Sequence, residues 1–317
     1  MLWVSAEQVI TATPWAPLIE ALQQIFRDGC SMPQRLHYDV KVPGGSDATL
    51  LLMPAWQEGA FIGVKVVSVF PDNAERGEPA INGHYLLSCG QTGQLRALID
   101  GGELTARRTA AASALAARYL ARADAEELLM VGTGRLSINL IEAHSAVRPL
   151  KRIRLWGRSL AKSQQMAAEL RDQGVAVEAV ADLASACASA DIISCATLSA
   201  TPLVQGQWLK PGAHLDLVGA YKPNMRETDD ESIRRAQVFV DTRAGASKEG
   251  GDIVIPLATG VLTPESIQAD LYELCRGQHP GRQHPDQITL FKSVGASLED
   301  LAAAVLVYRQ LTEGNHP

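Results

Sequence analysis

Apolar positions change their spacing along the chain. Over residues 16–26 they recur at helical intervals (Leu18, Ile19, Leu22, Ile25, Phe26) and predict a helix. Residues 38–42, 49–53, 60–70 and 84–88 are short β-rich runs separated by Gly, Pro and Asp, with a turn at Pro43-Gly44-Gly45-Ser46-Asp47. Near Leu104 the pattern shifts. Residues 105–123 are alanine-rich with a helical period, and Thr105 is the expected N-cap. Strands at 128–131, 153–156, 175–180, 192–195, 214–218 and 238–241 then alternate with helices, the clearest at 138–147 and 160–173. A strand-like run from Ile288 leads into an amphipathic helix at 297–311, with Lys292-Ser293-Val294-Gly295 read as its opening. Strands interleaved with helices of this length imply parallel βαβ units and a doubly wound α/β sheet.

The length of 317 residues suits two domains of roughly 150 residues each. The net charge of -6, from 35 acidic and 29 basic residues, gives no positive field for nucleic acid or an anionic membrane. Five scattered cysteines without a C-x-x-C pair fit a reduced, cytoplasmic chain with neither a disulfide framework nor a structural zinc site. The N-terminus has no basic and apolar export signal. No window offers the roughly 20 uncharged apolar residues of a membrane span.

The strand 128–131 runs into Gly132-Thr133-Gly134-Arg135-Leu136-Ser137 and then a helix. Gly132 permits a tight turn. Gly134 lets the backbone approach a pyrophosphate, which would rest on the N–H groups of Arg135 and Leu136 at the helix start. This is the pattern of a Rossmann dinucleotide site, or else of a tight βα turn without a ligand. The next strand ends at Trp156-Gly157-Arg158-Ser159, where an NAD enzyme usually carries a carboxylate for the ribose 2′-hydroxyl. With none present, Arg158, Ser159 and Lys162 either cradle a 2′-phosphate, favouring NADP(H) over NAD(H), or form a solvated helix start.

In the first half Lys65 interrupts the apolar run Gly63-Val64-Lys65-Val66-Val67. A lysine there either snorkels to solvent or lies beside a ligand, with desolvation lowering its pKa toward catalytic use. Arg35 precedes a strand, and Arg107-Arg108-Thr109 opens the alanine-rich helix. Taken singly, these arginines read as surface or structural. His279 and His284 read as loop residues rather than metal ligands, and His84 and His214 as packed in strands. Glu227 reads as the charged start of a helix, and residues 248–252 as a turn.

The sequence resembles the ornithine cyclodeaminase/mu-crystallin family along nearly its whole length. The matching runs are Gly63-Val64-Lys65-Val66-Val67 with Phe70-Pro71-Asp72-Asn73, Leu104-Thr105-Ala106-Arg107-Arg108-Thr109-Ala110-Ala111, and Val131-Gly132-Thr133-Gly134. Further matches are Ala190-Asp191-Ile192-Ile193 with Ala196-Thr197, Trp208-Leu209-Lys210-Pro211-Gly212-Ala213-His214, Pro280-Gly281-Arg282 and Thr289-Leu290-Phe291-Lys292-Ser293-Val294-Gly295.

The resemblance implies a homodimer. A split α+β domain (1–118 with 291–317) would carry substrate and dimer contacts, and a Rossmann domain (119–290) the nicotinamide nucleotide. By motif, Arg35 and Lys65 would meet the substrate, Arg35 pairing with an α-carboxylate. Arg108 and Thr109 would lie near substrate and cofactor phosphates. Thr197 and Ser293 would contact cofactor, and Val294 would border the substrate.

One departure bears on the reaction. Where the cyclodeaminases place a catalytic aspartate, this chain has Tyr221, in Gly219-Ala220-Tyr221-Lys222. A tyrosine with a pKa of about 10 is a poor base at neutral pH. The form here is similar to members that reduce cyclic imines such as Δ1-pyrroline-2-carboxylate and Δ1-piperideine-2-carboxylate. The expected activity is therefore NAD(P)H-dependent imine reduction, with Lys65, Arg35 and Tyr221 as the residues at the chemistry. Ornithine cyclodeamination, dehydrogenation of an open-chain amino acid and non-catalytic nucleotide-dependent ligand binding are the alternatives.

Overall fold

The computed structural model describes residues 1–313. In chain order the first half holds β1 (Leu2–Val4), α1 (Ala6–Ala12), α2 (Trp15–Asp28), β2 (Leu36–Val40), β3 (Ala48–Gln57), β4 (Phe61–Val69), β5 (Ile81–Cys89), β6 (Leu95–Asp100) and the long helix α3 (Gly101–Leu120). Alternation follows, with β7 (Glu127–Val131), α4 (Arg135–Ser145), β8 (Arg152–Trp156), α5 (Leu160–Asp172), β9 (Val177–Ala179), α6 (Leu183–Ser189), β10 (Ile192–Cys195) and β11 (His214–Leu217). The last stretch contains α7 (Asp230–Arg235), β12 (Ala236–Val240), α8 (Arg243–Glu249), α9 (Gly251–Thr259), β13 (Ile267–Asp270), α10 (Leu271–Cys275), β14 (Ile288–Lys292) and α11 (Ser297–Glu313).

Two compact units result, one of Met1–Arg108 with the chain from Ser297, the other Thr109–Ala296. The sequence-based boundaries at 118/119 and 290/291 fall inside α3 and β14, because uninterrupted apolar periodicity conceals a boundary that lies within a helix.

The split domain is a sheet in the order β1-β6-β5-β4-β3-β2, antiparallel except for β1 beside β6. Side chains alternate across it. Met53, Ala55, Lys65, Tyr85, Leu87, Ala97 and Ile99 share one face and are buried, and α11 packs on strands β3 to β6. The opposite face holds Leu50, Leu52, Val64 and Val66, half-buried, with Leu36 46%, Tyr38 49% and Ile62 38% exposed. His84, expected to be packed, lies exposed on this face.

The dinucleotide domain is a wholly parallel sheet in the order β13-β12-β14-β11-β10-β7-β8-β9. Its central strands are apolar on both faces, as helices on both sides require. The chain runs outward from β7 to β8 and β9, then returns to pair β10 against β7. That reversal opens a crevice at the carboxyl ends of β7 and β10. Buried Asp216 on β11 accepts from Ser113 on α3 (2.9 Å) and Ser194 on β10 (2.6 Å), and meets a ring nitrogen of His144 on α4 at 3.3 Å. His214 is buried as expected, its Nδ1 3.0 Å from Thr289 Oγ1.

Three local expectations are corrected. Thr105 lies inside α3, whose start is held by Asp100 accepting from the Glu103 N–H at 2.7 Å. Lys292 ends β14 and residues 293–295 form the loop before α11, rather than opening that helix. Residues 248–252 join two helices through Gly250, and Asp252 belongs to the first turn of α9. Among the described residues no helix is long and apolar enough to cross a membrane.

Candidate functional site

Two clusters of chemistry stand out, one in each unit. In the dinucleotide domain β7 ends at Val131 and the chain turns at Gly132, whose φ of 130° excludes most side chains. A Cβ there would meet the Ala196 carbonyl oxygen at 2.7 Å. Ser137, fully buried, donates its hydroxyl to the Gly132 carbonyl at 3.0 Å and fixes the turn. Gly134 caps α4 with no side-chain bond, and a Cβ on it would meet open space. The first turn of α4 carries no acidic residue. An uncapped helix N-terminus beside a bare backbone accepts a phosphate group through N–H donors and the helix dipole. Gly132, Gly134, Gly157, Arg158, Thr197 and Leu203 help line a cleft of about 310 Å³ there.

Arg158, Ser159 and Lys162 are exposed at the start of α5, where Ser159 accepts from the Lys162 N–H at 3.4 Å. Arg135 is exposed and Leu136 half-buried on α4; Thr109 is half-buried on α3. Tyr221 is 44% exposed in the loop after β11, with the Lys222 ammonium 5.7 Å from its ring centre.

Behind this cleft lies a buried network that sequence reading missed. Glu227 is fully buried and accepts four bonds, from the Thr197 N–H (2.6 Å) and hydroxyl (2.8 Å) and from the N–H groups of Gly219 (2.8 Å) and Ala220 (3.2 Å). It thereby ties the loops after β10 and β11. Burial raises its carboxyl above the ordinary range; the Lys292 ammonium and the Thr197 donors oppose this, while Asp252 adds to it.

Asp252 accepts from the N–H groups of Glu227 (2.8 Å) and Thr228 (3.1 Å) and pairs with fully buried Lys292 at 3.1 Å. Asp241 accepts from Ser293 Oγ (3.1 Å) and the N–H groups of Val294 and Gly295 (2.7 Å each), shaping the loop after β14. Helix α7 starts instead at Asp230 with Asp229 as its cap, so Glu227 is no part of a charged helix start. The available signal was Lys292, a cation in the apolar strand Ile288–Lys292 that requires a buried partner.

In the split domain Lys65 projects from β4 and is 3% exposed. Its Nζ lies 2.9 Å from Oδ1 and 2.8 Å from Oδ2 of Asp300, and 3.4 Å from the Thr105 hydroxyl. Arg108 reaches the same Asp300 through Nε (2.8 Å) and Glu299 through Nη1 (2.5 Å). Both carboxylates are fully buried in the first turn of α11.

Burial lowers Lys65 to about 8; Asp300 opposes this, and the charges of Arg108 and Arg35 add to it. Half-buried Arg35 is thus within electrostatic reach of Lys65. Against burial, Arg108 and Lys65 hold the Asp300 carboxyl below the ordinary carboxylate range. Arg107 faces elsewhere, bonding the Thr13 carbonyl and stacking on Trp15. Of the sequence candidates, Lys65, Arg35 and Arg108 converge here. Gly132, Gly134, Arg158 and Thr197 converge on the nucleotide cleft, and the Thr197 and Ser293 hydroxyls are engaged by Glu227 and Asp241.

A parallel sheet whose first strand passes through Gly-x-Gly into an uncapped helix defines a dinucleotide-binding α/β protein. The chain belongs to the ornithine cyclodeaminase/mu-crystallin family, whose model matches residues 4–315. An uncharacterised protein of Schizosaccharomyces pombe is 44% identical over 97% of this chain and 96% of its own length. The Δ1-pyrroline-2-carboxylate reductase of Paracoccus denitrificans is 38% identical over 93% of this chain and 92% of its own. Among solved structures, the Thermococcus litoralis Δ1-pyrroline-2-carboxylate reductase with NADH and L-proline superimposes with a TM-score of 0.90 at 32% identity, covering 99% of this chain and 98% of that one. An archaeal alanine dehydrogenase dimer with bound NAD also gives a TM-score of 0.90, at 26% identity, covering 100% and 98%.

The Lys292–Asp252 pair is fully buried. Asp252→Asn is therefore expected to cost about 3–5 kcal/mol in denaturant unfolding, by leaving an ammonium without its counter-charge. Glu126→Gln, which breaks the exposed Lys151–Glu126 pair, is expected to cost less than about 1 kcal/mol.

Proposed function

We propose that this protein reduces cyclic α-imino acids, Δ1-pyrroline-2-carboxylate or Δ1-piperideine-2-carboxylate, to L-proline or L-pipecolate, with NADPH preferred over NADH. The chain is an NAD(P)-dependent oxidoreductase acting on C=N bonds. The observation that carries the narrower reading is Lys65, a buried ammonium on a strand beside Arg108 and Arg35.

When bound, the reduced nicotinamide supplies a hydride to the imine carbon. Arg35 pairs with the substrate carboxylate, aided by Arg108, because a guanidinium fork matches a carboxylate in geometry and charge. Lys65 hydrogen-bonds the imine nitrogen and delivers the proton that completes the amine, a role its lowered pKa suits. Val294 borders the ring. Tyr221 stands where a cyclodeaminase carries its aspartate, so ring closure lacks its base and reduction is favoured. We assign Tyr221 to the reaction only through its position in this loop.

The N–H groups of Arg135 and Leu136 hold the pyrophosphate where Gly132 and Gly134 let it approach, with Arg108 and Thr109 near the phosphates. Thr197 and Ser293 border the nicotinamide. Arg158, Ser159 and Lys162, with no carboxylate from Trp156 to Leu160, suit a 2′-phosphate, and a neutral ribose would gain nothing from them.

The protein is a homodimer in this reading, supported by the half-exposed apolar sheet face around Leu36, Tyr38 and Ile62 and by the dimeric alanine dehydrogenase. Five cysteines, none of them in a disulfide, fit a cytoplasmic location.

Purified protein with NADPH and Δ1-pyrroline-2-carboxylate is expected to consume the near-ultraviolet absorbance of NADPH and form L-proline. Lys65→Met is expected to lower kcat about 10²–10⁴-fold, the usual worth of a general acid. Absence of turnover with both ring sizes refutes the reading. Arg158→Ala is expected to raise the KM for NADPH about tenfold or more and leave that for NADH unchanged, as loss of a charge-assisted hydrogen bond dictates. Light scattering is expected to report a dimer, and the double variant Leu36→Glu/Ile62→Glu a monomer.

A further inference from the structure

We propose that Asp300 is the positioning residue of the reductase, holding Lys65 charged and aimed while locking Arg108 beside it. The proposal rests on the imine-reductase reading and extends it to a residue that the sequence motifs did not single out.

The geometry is specific. Asp300 straddles the two cations, with Oδ1 2.9 Å from Lys65 Nζ and 2.8 Å from Arg108 Nε, and Oδ2 2.8 Å from the same ammonium. One carboxylate thus fixes both the lysine and the arginine, and the Lys65–Arg108 repulsion is spent against a shared counter-charge. Asp300 is itself fully buried, in the first turn of α11, where the helix dipole favours a negative charge.

The other charged and titratable groups around Lys65 cannot do this work. Arg108 on α3 and Arg35 ahead of β2 both repel an ammonium. The Thr105 hydroxyl on α3 is neutral and lies 3.4 Å away. Tyr85, paired with Lys65 from the neighbouring strand β5, has a phenol that burial pushes well above its ordinary value, so it stays uncharged. Glu299, next to Asp300, bonds Arg108 rather than Lys65.

The consequence is chemical. On reduction the C=N π bond breaks, the carbon gains a hydride from the reduced nicotinamide, and the nitrogen gains a proton from the Lys65 ammonium. Lys65 is left neutral and recovers its proton from water when product leaves. Each turnover needs Lys65 protonated at the start. Burial alone works against that state, and Asp300 is the group that counters it. Asp300 touches neither reacting atom in this scheme.

The test is the pH dependence of kcat/KM together with a measurement made without turnover. Asp300→Asn keeps the shape and removes the charge. The basic limb, set by Lys65, is expected to move to lower pH by about one to three units, the usual effect of a neighbouring opposite charge. Asp300→Ser is expected to shift it in the same direction, and serves should the amide variant not fold. Asp300→Glu is expected to restore most of the wild-type limb. Glu299→Gln removes an equally buried charge from the same helical turn and is expected to leave the limb in place.

Calorimetry of pyrrole-2-carboxylate binding near neutral pH, in buffers of different ionisation heat, counts the protons taken up. Uptake is expected to be a small fraction of a proton in the wild type and to approach one in Asp300→Asn, where anion binding recharges Lys65. An unmoved limb and unchanged proton uptake in the folded Asp300 variants overturn the proposal while leaving imine reduction intact. A wild type that reduces no cyclic imine instead overturns the underlying reading.

Discussion

A buried ammonium must be answered by a carboxylate, and both halves of this molecule obey that constraint in the same way. Lys65 on β4 is met by Asp300 in the first turn of α11. Lys292 on β14 is met by Asp252 in the first turn of α9. In each case the strand supplies a cation to an apolar layer, and a helix start supplies the anion where the dipole already favours it. Such pairs add little net stability, since desolvation consumes most of the attraction. What they add is position, because neither side chain can relax without exposing a charge to a medium that cannot solvate it.

The two pairs lead to different outcomes. Lys292, Asp252 and Glu227 are all fully buried. Asp252 fixes the backbone at Glu227 and Thr228, and Glu227 in turn fixes Thr197, Gly219 and Ala220. Loops that border the cleft after β7 are thus set from behind by a buried charge network. Around Lys65 a second buried cation, Arg108, shares Asp300 and is also met by Glu299, and the charge of half-buried Arg35 reaches the lysine. Desolvated, electrostatically perturbed groups of this kind gather at functional sites, and that singles this cluster out.

Much of this was legible in the residues. The Gly132–Gly134 turn, the strand–helix alternation and the break in apolarity at Lys65 each follow from local chemistry, and the structure places them as the pattern implied. The start of α3 was misread because Thr105 is a good capping residue, yet Asp100 stands at the real end of the preceding strand. Glu227 and Asp252 were passed over for a related reason. Acidic residues near Asp229, Asp230 and Glu231, or beside glycines, look like solvated helix starts, and only tertiary packing reveals that two of them face inward. Asp300 was hidden by distance, since its partners Lys65 and Arg108 are 235 and 192 residues away in the chain.

That separation carries a consequence for how the molecule is made. A chain emerging from the ribosome presents Lys65 and Arg108 long before the helix bearing Asp300 and Glu299 exists. Until α11 arrives, the sheet of the split domain has an open apolar face and two cations without their anions, so it has no stable way to close. The dinucleotide domain, continuous from Thr109 to Ala296, waits almost as long, because β14 sits between β11 and β12 in its sheet. Both units are therefore completed by one short stretch of chain, β14 closing the parallel sheet and α11 covering the antiparallel one.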